Sequence, residues 1–269
     1  MWELIRYLLI GIIQGVSEVL PISSSAHLVI IQEVMGVNDD NLTLEVFLHL
    51  ASLVAVIFFL RKKIVRLING VFRYIFKGEK SFVTEFKIVI FLIVSTIPIV
   101  IMTILFKEQI NTISNSILII GFLLIINGIL LLSINGIKGN KNLKTMKLKD
   151  AFVIGIFQCM GLFAGISRSG SCIYGSSFTK MEKEASAEYA FLLFIPAVLG
   201  ATVLEVKNLK YMIVGSDIWI YLITFIVTSI VTYLSLNWLL KIIKRGKLKY
   251  FGYYCIGLGM ISVLIMMTK

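Results

Sequence analysis

Hydrophobic and polar positions fall along the chain in long uninterrupted apolar runs joined by short, mostly basic connections. Six runs approach the length of a bilayer-crossing helix: Leu44–Leu60, Phe86–Phe106, Ile117–Ile134, Tyr189–Leu204, Ile218–Leu240 and Phe251–Met267. About 20 predominantly apolar residues are needed for such a helix. The runs are continuous rather than alternating, which predicts helices and not the short strands of a membrane barrel. Two further apolar regions, Leu4–Ile31 and Ala151–Phe178, are broken in the middle by polar residues and glycine.

The charges of the connections predict how the runs are threaded. Residues Arg61–Lys80, Lys138–Lys149 and Lys241–Lys249 together hold 17 of the 26 Lys and Arg. Basic connections stay on the cytoplasmic side. The remaining connections are balanced, with Lys107 beside Glu108, and Glu205, Lys207, Lys210 and Asp217 together. These are assigned to the outside. Leu44–Leu60 must then run inward and Tyr189–Leu204 outward. Each broken region is left to enter and leave on one face, the first from outside and the second from inside, unless it makes an even number of full crossings. Both are read as re-entrant segments, which are tolerated at membrane depth where they line a cavity or are buried in protein.

Composition changes this picture only by sharpening it. Of 269 residues, 58% are hydrophobic and 15% charged, with a mean hydropathy of +0.94. A soluble domain carries about 25% charged residues. Soluble, disordered, collagenous and disulfide-rich secreted classes are excluded. The net charge of +11 is absorbed by the basic connections, so nucleic acid is not an expected partner. Cys159, Cys172 and Cys255 lie inside apolar runs and read as small buried hydrophobes. The opening thirty residues lack a small-residue cleavage site and are interrupted by Glu18, Ser23–Ser25 and His27, unlike a signal peptide.

An internal repeat fits the same threading. Gly11–Gln14 (Gly-Ile-Ile-Gln) and Ile22–Ser25 match Gly155–Gln158 (Gly-Ile-Phe-Gln) and Ile166–Ser169 at an offset of 144 residues. Glu45–Leu48 and Glu188–Phe191 match at an offset of 143, each opening a spanning run. The predicted fold is one polytopic all-α membrane domain, residues 1–269, with six spanning helices and two re-entrant helix-loop-helix segments. Its repeat halves, approximately 1–106 and 150–240, have inverted topology, which brings polar sites together near the midplane.

The chemistry collects in the two breaks. Gln14 and Glu18 are four apart and share a helix face. Pro21 then disrupts the helix, and Ser23, Ser24, Ser25 and His27 follow within one turn or so. Ser23 alone reads as an N-cap and His27 alone as an interior histidine. Glu18 needs a partner or a proton at that depth. In the second break, Arg168 stands between Ser167 and Ser169 and is flanked by Gly165 and Gly170. A guanidinium is suited to phosphate because its planar fork donates two parallel hydrogen bonds. An Arg168–Glu18 salt bridge is the structural alternative. An acid, hydroxyls, a histidine and an arginine fit phosphoryl hydrolysis, with a serine or a histidine attacking and a carboxylate orienting it or holding Mg²⁺. His49, on a spanning run beyond Glu45, has two readings: a residue facing the same cavity or, taken alone, a helix–helix hydrogen-bonding residue.

With these motifs the chain resembles the bacitracin-resistance family of undecaprenyl-diphosphate phosphatases. Gln14, Glu18, Pro21, Ser23, Ser24, Ser25, Ala26 and His27 resemble that family's (Glu/Gln)-x-x-x-Glu segment and Pro-x-Ser-Ser-Ser/Thr-Gly-His loop. Ala164–Gly170 resembles its Pro-Gly-x-Ser-Arg-Ser-Gly motif, and the likeness extends through Phe191–Pro196. The resemblance implies hydrolysis of a polyprenyl diphosphate carrier to its monophosphate and inorganic phosphate, for cell-envelope synthesis. It implies a multi-pass protein of the bacterial cytoplasmic membrane, a site facing outward, and dependence on Mg²⁺ or another divalent cation. By motif position, Glu18 binds metal or orients the attacking group, Ser24 and His27 are the nucleophile and acid–base candidates, and Arg168 binds phosphate. Gln14, Ser23, Ser25, Ser167 and Ser169 join the phosphate-binding set. The expected partners are the prenyl diphosphate and membrane lipids, with a homodimer left open. This sequence departs from the family pattern at Gln14, often Glu; at Ala26, usually Gly; at Ala164, usually Pro; and at His49, commonly Gln. A secondary transporter or lipid flippase with the same inverted repeat is the rival reading, and it would need no nucleophile.

Overall fold

The computed structural model describes residues 2–36, 42–213 and 218–268. Among them are α1 (Trp2–Ser17), α2 (Ser24–Met35), α3 (Leu42–Lys77), α4 (Val83–Leu105), α5 (Lys107–Ser114) and α6 (Ile117–Ser133). The order continues with α7 (Leu148–Gln158), α8 (Arg168–Phe178), α9 (Lys183–Ile213), α10 (Ile218–Lys244) and α11 (Lys249–Thr268). No β-strand occurs among the described residues. Among the described residues, five helices are long and apolar enough to cross a membrane: α3, α4 with the turn before it, α9, α10 and α11. The sixth expected run forms α6, 17 residues long, and makes a 93° bend with α5.

Both interrupted regions fold as two helices around a break. At 11 residues each, α7 and α8 are only ~16 Å long, about half of a hydrocarbon core. Their outer ends are tied together, because Asn140 and Lys141 N–H groups donate to the Lys180 carbonyl and Glu182 N–H donates to Lys141. This pair therefore opens toward the end of the molecule that carries the basic connection 138–149. The pair α1–α2 opens toward the other end. There Ile10, Leu28, Leu44 and Leu48 form one apolar cluster with Tyr7, Ile31 and Tyr221, joining α1 and α2 to the starts of α3 and α10.

Close approach between helices is set by glycine and small hydroxyl residues. A Cβ on Gly11 would lie 2.6 Å from Thr228 Oγ1 on α10, and one on Gly155 would lie 2.6 Å from the Ser95 carbonyl oxygen on α4. Thr228 Oγ donates to the Gly11 carbonyl, and Ser95 Oγ donates to Ala151. The first helix of each pair is thus seated on α10 or α4 by a glycine and a hydroxyl. In lipid, packing and such hydrogen bonds replace the hydrophobic effect between helices.

Candidate active site

The two breaks meet inside the bundle. Ser23 occupies the N-cap position of α2 with φ of 69°, yet its hydroxyl makes no capping bond there. It accepts instead from Gly165 N–H at 3.0 Å, across to the other break. Gly165 has φ of +112°, and a Cβ on it would lie 2.5 Å from Leu123 Cβ, so no other residue fits. Ser169 Oγ donates back toward the Val19 and Leu20 carbonyls at 3.4 and 3.5 Å. Ser167 does cap its helix, its hydroxyl accepting from Gly170 N–H at 3.1 Å.

Asn127 holds both breaks at once. This fully buried amide on α6 donates from Nδ2 to the Pro21 carbonyl at 3.0 Å. Its Oδ1 accepts from Ser167 N–H at 3.0 Å and from Tyr174 Oη at 2.7 Å. Its sign in the sequence is an amide standing in an otherwise apolar run, a costly placement that demands partners.

Glu18 follows the last residue of α1 and is 8% exposed. Gln14 Nε2 donates to Glu18 Oε2 at 2.6 Å, as the spacing of four predicts. His49 Nε2 lies 3.3 Å from the same oxygen. His49 Nδ1–H donates to the Glu45 carbonyl at 2.7 Å, so an attractive Nε2–carboxylate contact requires a proton between the two groups. His49 thus pairs with the central carboxylate from another helix, in keeping with the helix–helix bond read for it.

Glu18, Arg168, Ser169, Gln158, Cys172 and Phe194 share the walls of a narrow cavity of about 20 Å³. That holds a water but no phosphate group. The Arg168 guanidinium makes no ion pair or hydrogen bond among the described residues, and it lies 5.8 Å from the centre of the Phe194 ring. Its salt bridge to Glu18, the structural alternative, is not among the described ion pairs. Gln158, which the repeat matches to Gln14, lines the cavity and bonds at 3.5 Å to the Ser95 carbonyl.

The other predicted residues lie elsewhere around the breaks. Ser24 and Ser25 open α2 and are half-buried. His27 is not among the residues lining the cavity: Nδ1–H donates to the Ser23 carbonyl at 2.7 Å, and Nε2 accepts from Tyr254 Oη at 2.7 Å. Its ring also stacks on Tyr254.

Among the described residues, no three His, Cys, Asp or Glu are grouped to hold a metal. The oxygen set beside Glu18 is smaller but apt. Gln14 Oε1 is buried and has no hydrogen-bond partner among the described residues. Turning the amide would set that oxygen against Glu18 Oε2, so its orientation follows from the chemistry. An orphaned amide oxygen beside a carboxylate suits a hard cation that takes its remaining ligands from phosphate and water.

Helices of this length and polarity, enclosing buried ionisable groups where two interrupted pairs meet, define a polytopic membrane protein with a polar cavity inside the bundle. The chain belongs to the family described as "Bacitracin resistance protein BacA", whose model it matches over residues 7–261. It is 35% identical to the undecaprenyl-diphosphatase of Oceanobacillus iheyensis, covering 98% of both chains. It is 34% identical to undecaprenyl-diphosphatase 2 of Bacillus thuringiensis, again with 98% of each covered. Undecaprenyl-diphosphatase 1 of Halalkalibacterium halodurans is 36% identical, covering 99% of this chain and 97% of the relative.

Proposed function

We propose that this protein hydrolyses undecaprenyl diphosphate to the monophosphate and inorganic phosphate in the bacterial cytoplasmic membrane. The observation that carries the reading is Arg168, without an ion-pair partner among the described residues, lining one cavity with the paired carboxylate Glu18. The cavity is too small for phosphate, so the terminal phosphate binds at its mouth, where Arg168 and Ser169 are half-exposed. The guanidinium fork takes two phosphate oxygens and offsets the charge that grows on them as the P–O bond breaks. N–H groups at the start of α8 point the same positive end toward the anion.

Ser24 is the nucleophile in this reading. His27 is a weaker choice because both ring nitrogens are already engaged. Ser24 Oγ attacks the terminal phosphorus, and the bond to the lipid monophosphate breaks. Water then hydrolyses the phosphoserine and frees inorganic phosphate. Glu18 orients the attacking group, whose proton passes to water at the mouth of the cavity. Glu18 and Gln14 Oε1 are the groups that would hold Mg²⁺, a Lewis acid that neutralises phosphate charge when bound.

The arrangement of the two pairs supports six spans with α6 as the sixth, two re-entrant segments and an inverted repeat. One pair opens to each end, and each first helix rests on α10 or α4 through a matched glycine. With the basic end cytoplasmic, the α1–α2 pair opens outward and admits substrate from that side. A transporter reading is not favoured, since the relatives are named as diphosphatases.

The test is phosphate release from a long-chain prenyl diphosphate by purified protein, with and without EDTA. Turnover that EDTA abolishes and that Glu18→Gln or Arg168→Ala removes is the expected result. Folded wild-type protein that releases no phosphate overturns the reading.

A further inference from the structure

At the basic end, well away from the cavity, a groove of about 330 Å³ lies between the start of α4 and the connection 138–147. Lys87, Lys144 and Lys147 stand on its walls over a floor of Phe91, Leu143, Met146 and Leu148. None of the three ammonium groups has an ion pair or hydrogen bond among the described residues. The acidic groups near them are engaged elsewhere: Asp150 with Lys141 at 2.9 Å, and Glu85 with Arg66 at 2.8 Å. Three cations gathered with their neighbouring carboxylates committed leave a site of uncompensated positive charge.

The surface below the groove is apolar. Leu148, Phe152 and Ile156 recur every four residues along α7 and are 53%, 53% and 50% exposed. They form a stripe ~12 Å long that descends from the groove along the outside of the bundle. Cations at the membrane surface above an apolar track match the two ends of a phospholipid in both chemistry and order.

We propose that this groove is a binding site for an anionic phospholipid, with its phosphate on Lys87, Lys144 and Lys147 and an acyl chain along Leu148, Phe152 and Ile156. A soluble phosphate has no use for the apolar floor or the stripe, and a zwitterionic lipid does not answer the charge. Basic pockets between membrane helices recognise anionic headgroups through these same forces, at about fivefold in affinity per lysine.

Native mass spectrometry of the purified full chain tests this, with dioleoylphosphatidylglycerol and dioleoylphosphatidylcholine offered in equal amounts. The wild type retains phosphatidylglycerol preferentially. The triple variant Lys87→Gln/Lys144→Gln/Lys147→Gln loses that preference by about tenfold or more, and Lys87→Gln alone by about fivefold. Phe152→Gln shortens retention of phosphatidylglycerol with all three lysines present. A charge-matched control at the same end, Lys62→Gln/Lys241→Gln/Lys244→Gln, keeps the preference. Equal loss in the control, or an unchanged preference in the triple variant, overturns the proposal. So does lysine-dependent retention of glycerol 3-phosphate as strong as that of the lipid.

Discussion

Among the described residues the Arg168 guanidinium has no carboxylate partner, and it lines the same cavity as a carboxylate that already has two partners, an arrangement that an anion would complete. Glu18 is held by Gln14 and His49, so it does not neutralise Arg168. The substitution Arg168→Lys keeps the charge but loses the fork, and kcat/KM is expected to fall about 100-fold, the usual scale for removing one transition-state donor. Wild-type kcat/KM in that variant would remove Arg168 from the phosphate site. The nucleophile separates by a pair of variants: Ser24→Ala abolishes turnover while lipid binding survives, and His27→Ala retains measurable turnover. The reverse pattern moves the attack to histidine. Gln14, Glu18 and Arg168 were all legible in the sequence as polar residues that a membrane interior does not tolerate without purpose. Their partners were not. Nothing in residue spacing says that Ser23 turns from its own helix to Gly165, or that His49 reaches Glu18 from another helix.

The breaks are useful only if they are held against each other. Asn127 does this from α6, bonding the Pro21 carbonyl and the Ser167 N–H with one amide. Replacing it by leucine leaves both of those buried groups unpaired, at about 1–3 kcal/mol each. Asn127→Leu should therefore lose most phosphate release while circular dichroism shows the helices intact, with the fall in kcat rather than a rise in KM. A KM effect alone would make Asn127 a binding-side residue instead. The glycine contacts act at the same scale. Gly155→Val drives a side chain into the α4 backbone and should lower thermal stability, whereas Gly200→Val, with nothing within 4 Å of its Cβ position among the described residues, should not. The amide was visible as one polar residue in an apolar run. Its role was not visible, because hydrogen-bond partners more than 30 residues away are set by packing.

Across the whole molecule, charge decides which way the bundle faces. The basic ends of α3 and α10 lie at one end with connection 138–149, and Gln109 in α5 belongs to a balanced connection. A cysteine placed at Gln109 should react with an impermeant maleimide in intact cells, and one at Lys144 or Lys247 only after permeabilisation. The opposite labelling would invert the bundle and close the outward route to the site.

The sequence by itself determined the class of molecule, its long apolar runs, the two interruptions and the residues that carry charge within them, though not that α3 runs on to Lys77 through the basic stretch. Those follow from local facts: how many consecutive residues shun water, where proline and glycine stop a helix, and which side chains cannot lie in lipid alone. Only the tertiary structure decided which of those residues meet. It placed Arg168 and Glu18 on one cavity, turned His27 to Tyr254, brought His49 to the carboxylate and gave Asn127 both breaks to hold. Packing between helices set these contacts, because glycine and hydroxyl positions fix the depth and rotation of each helix, and no local pattern encodes the sum.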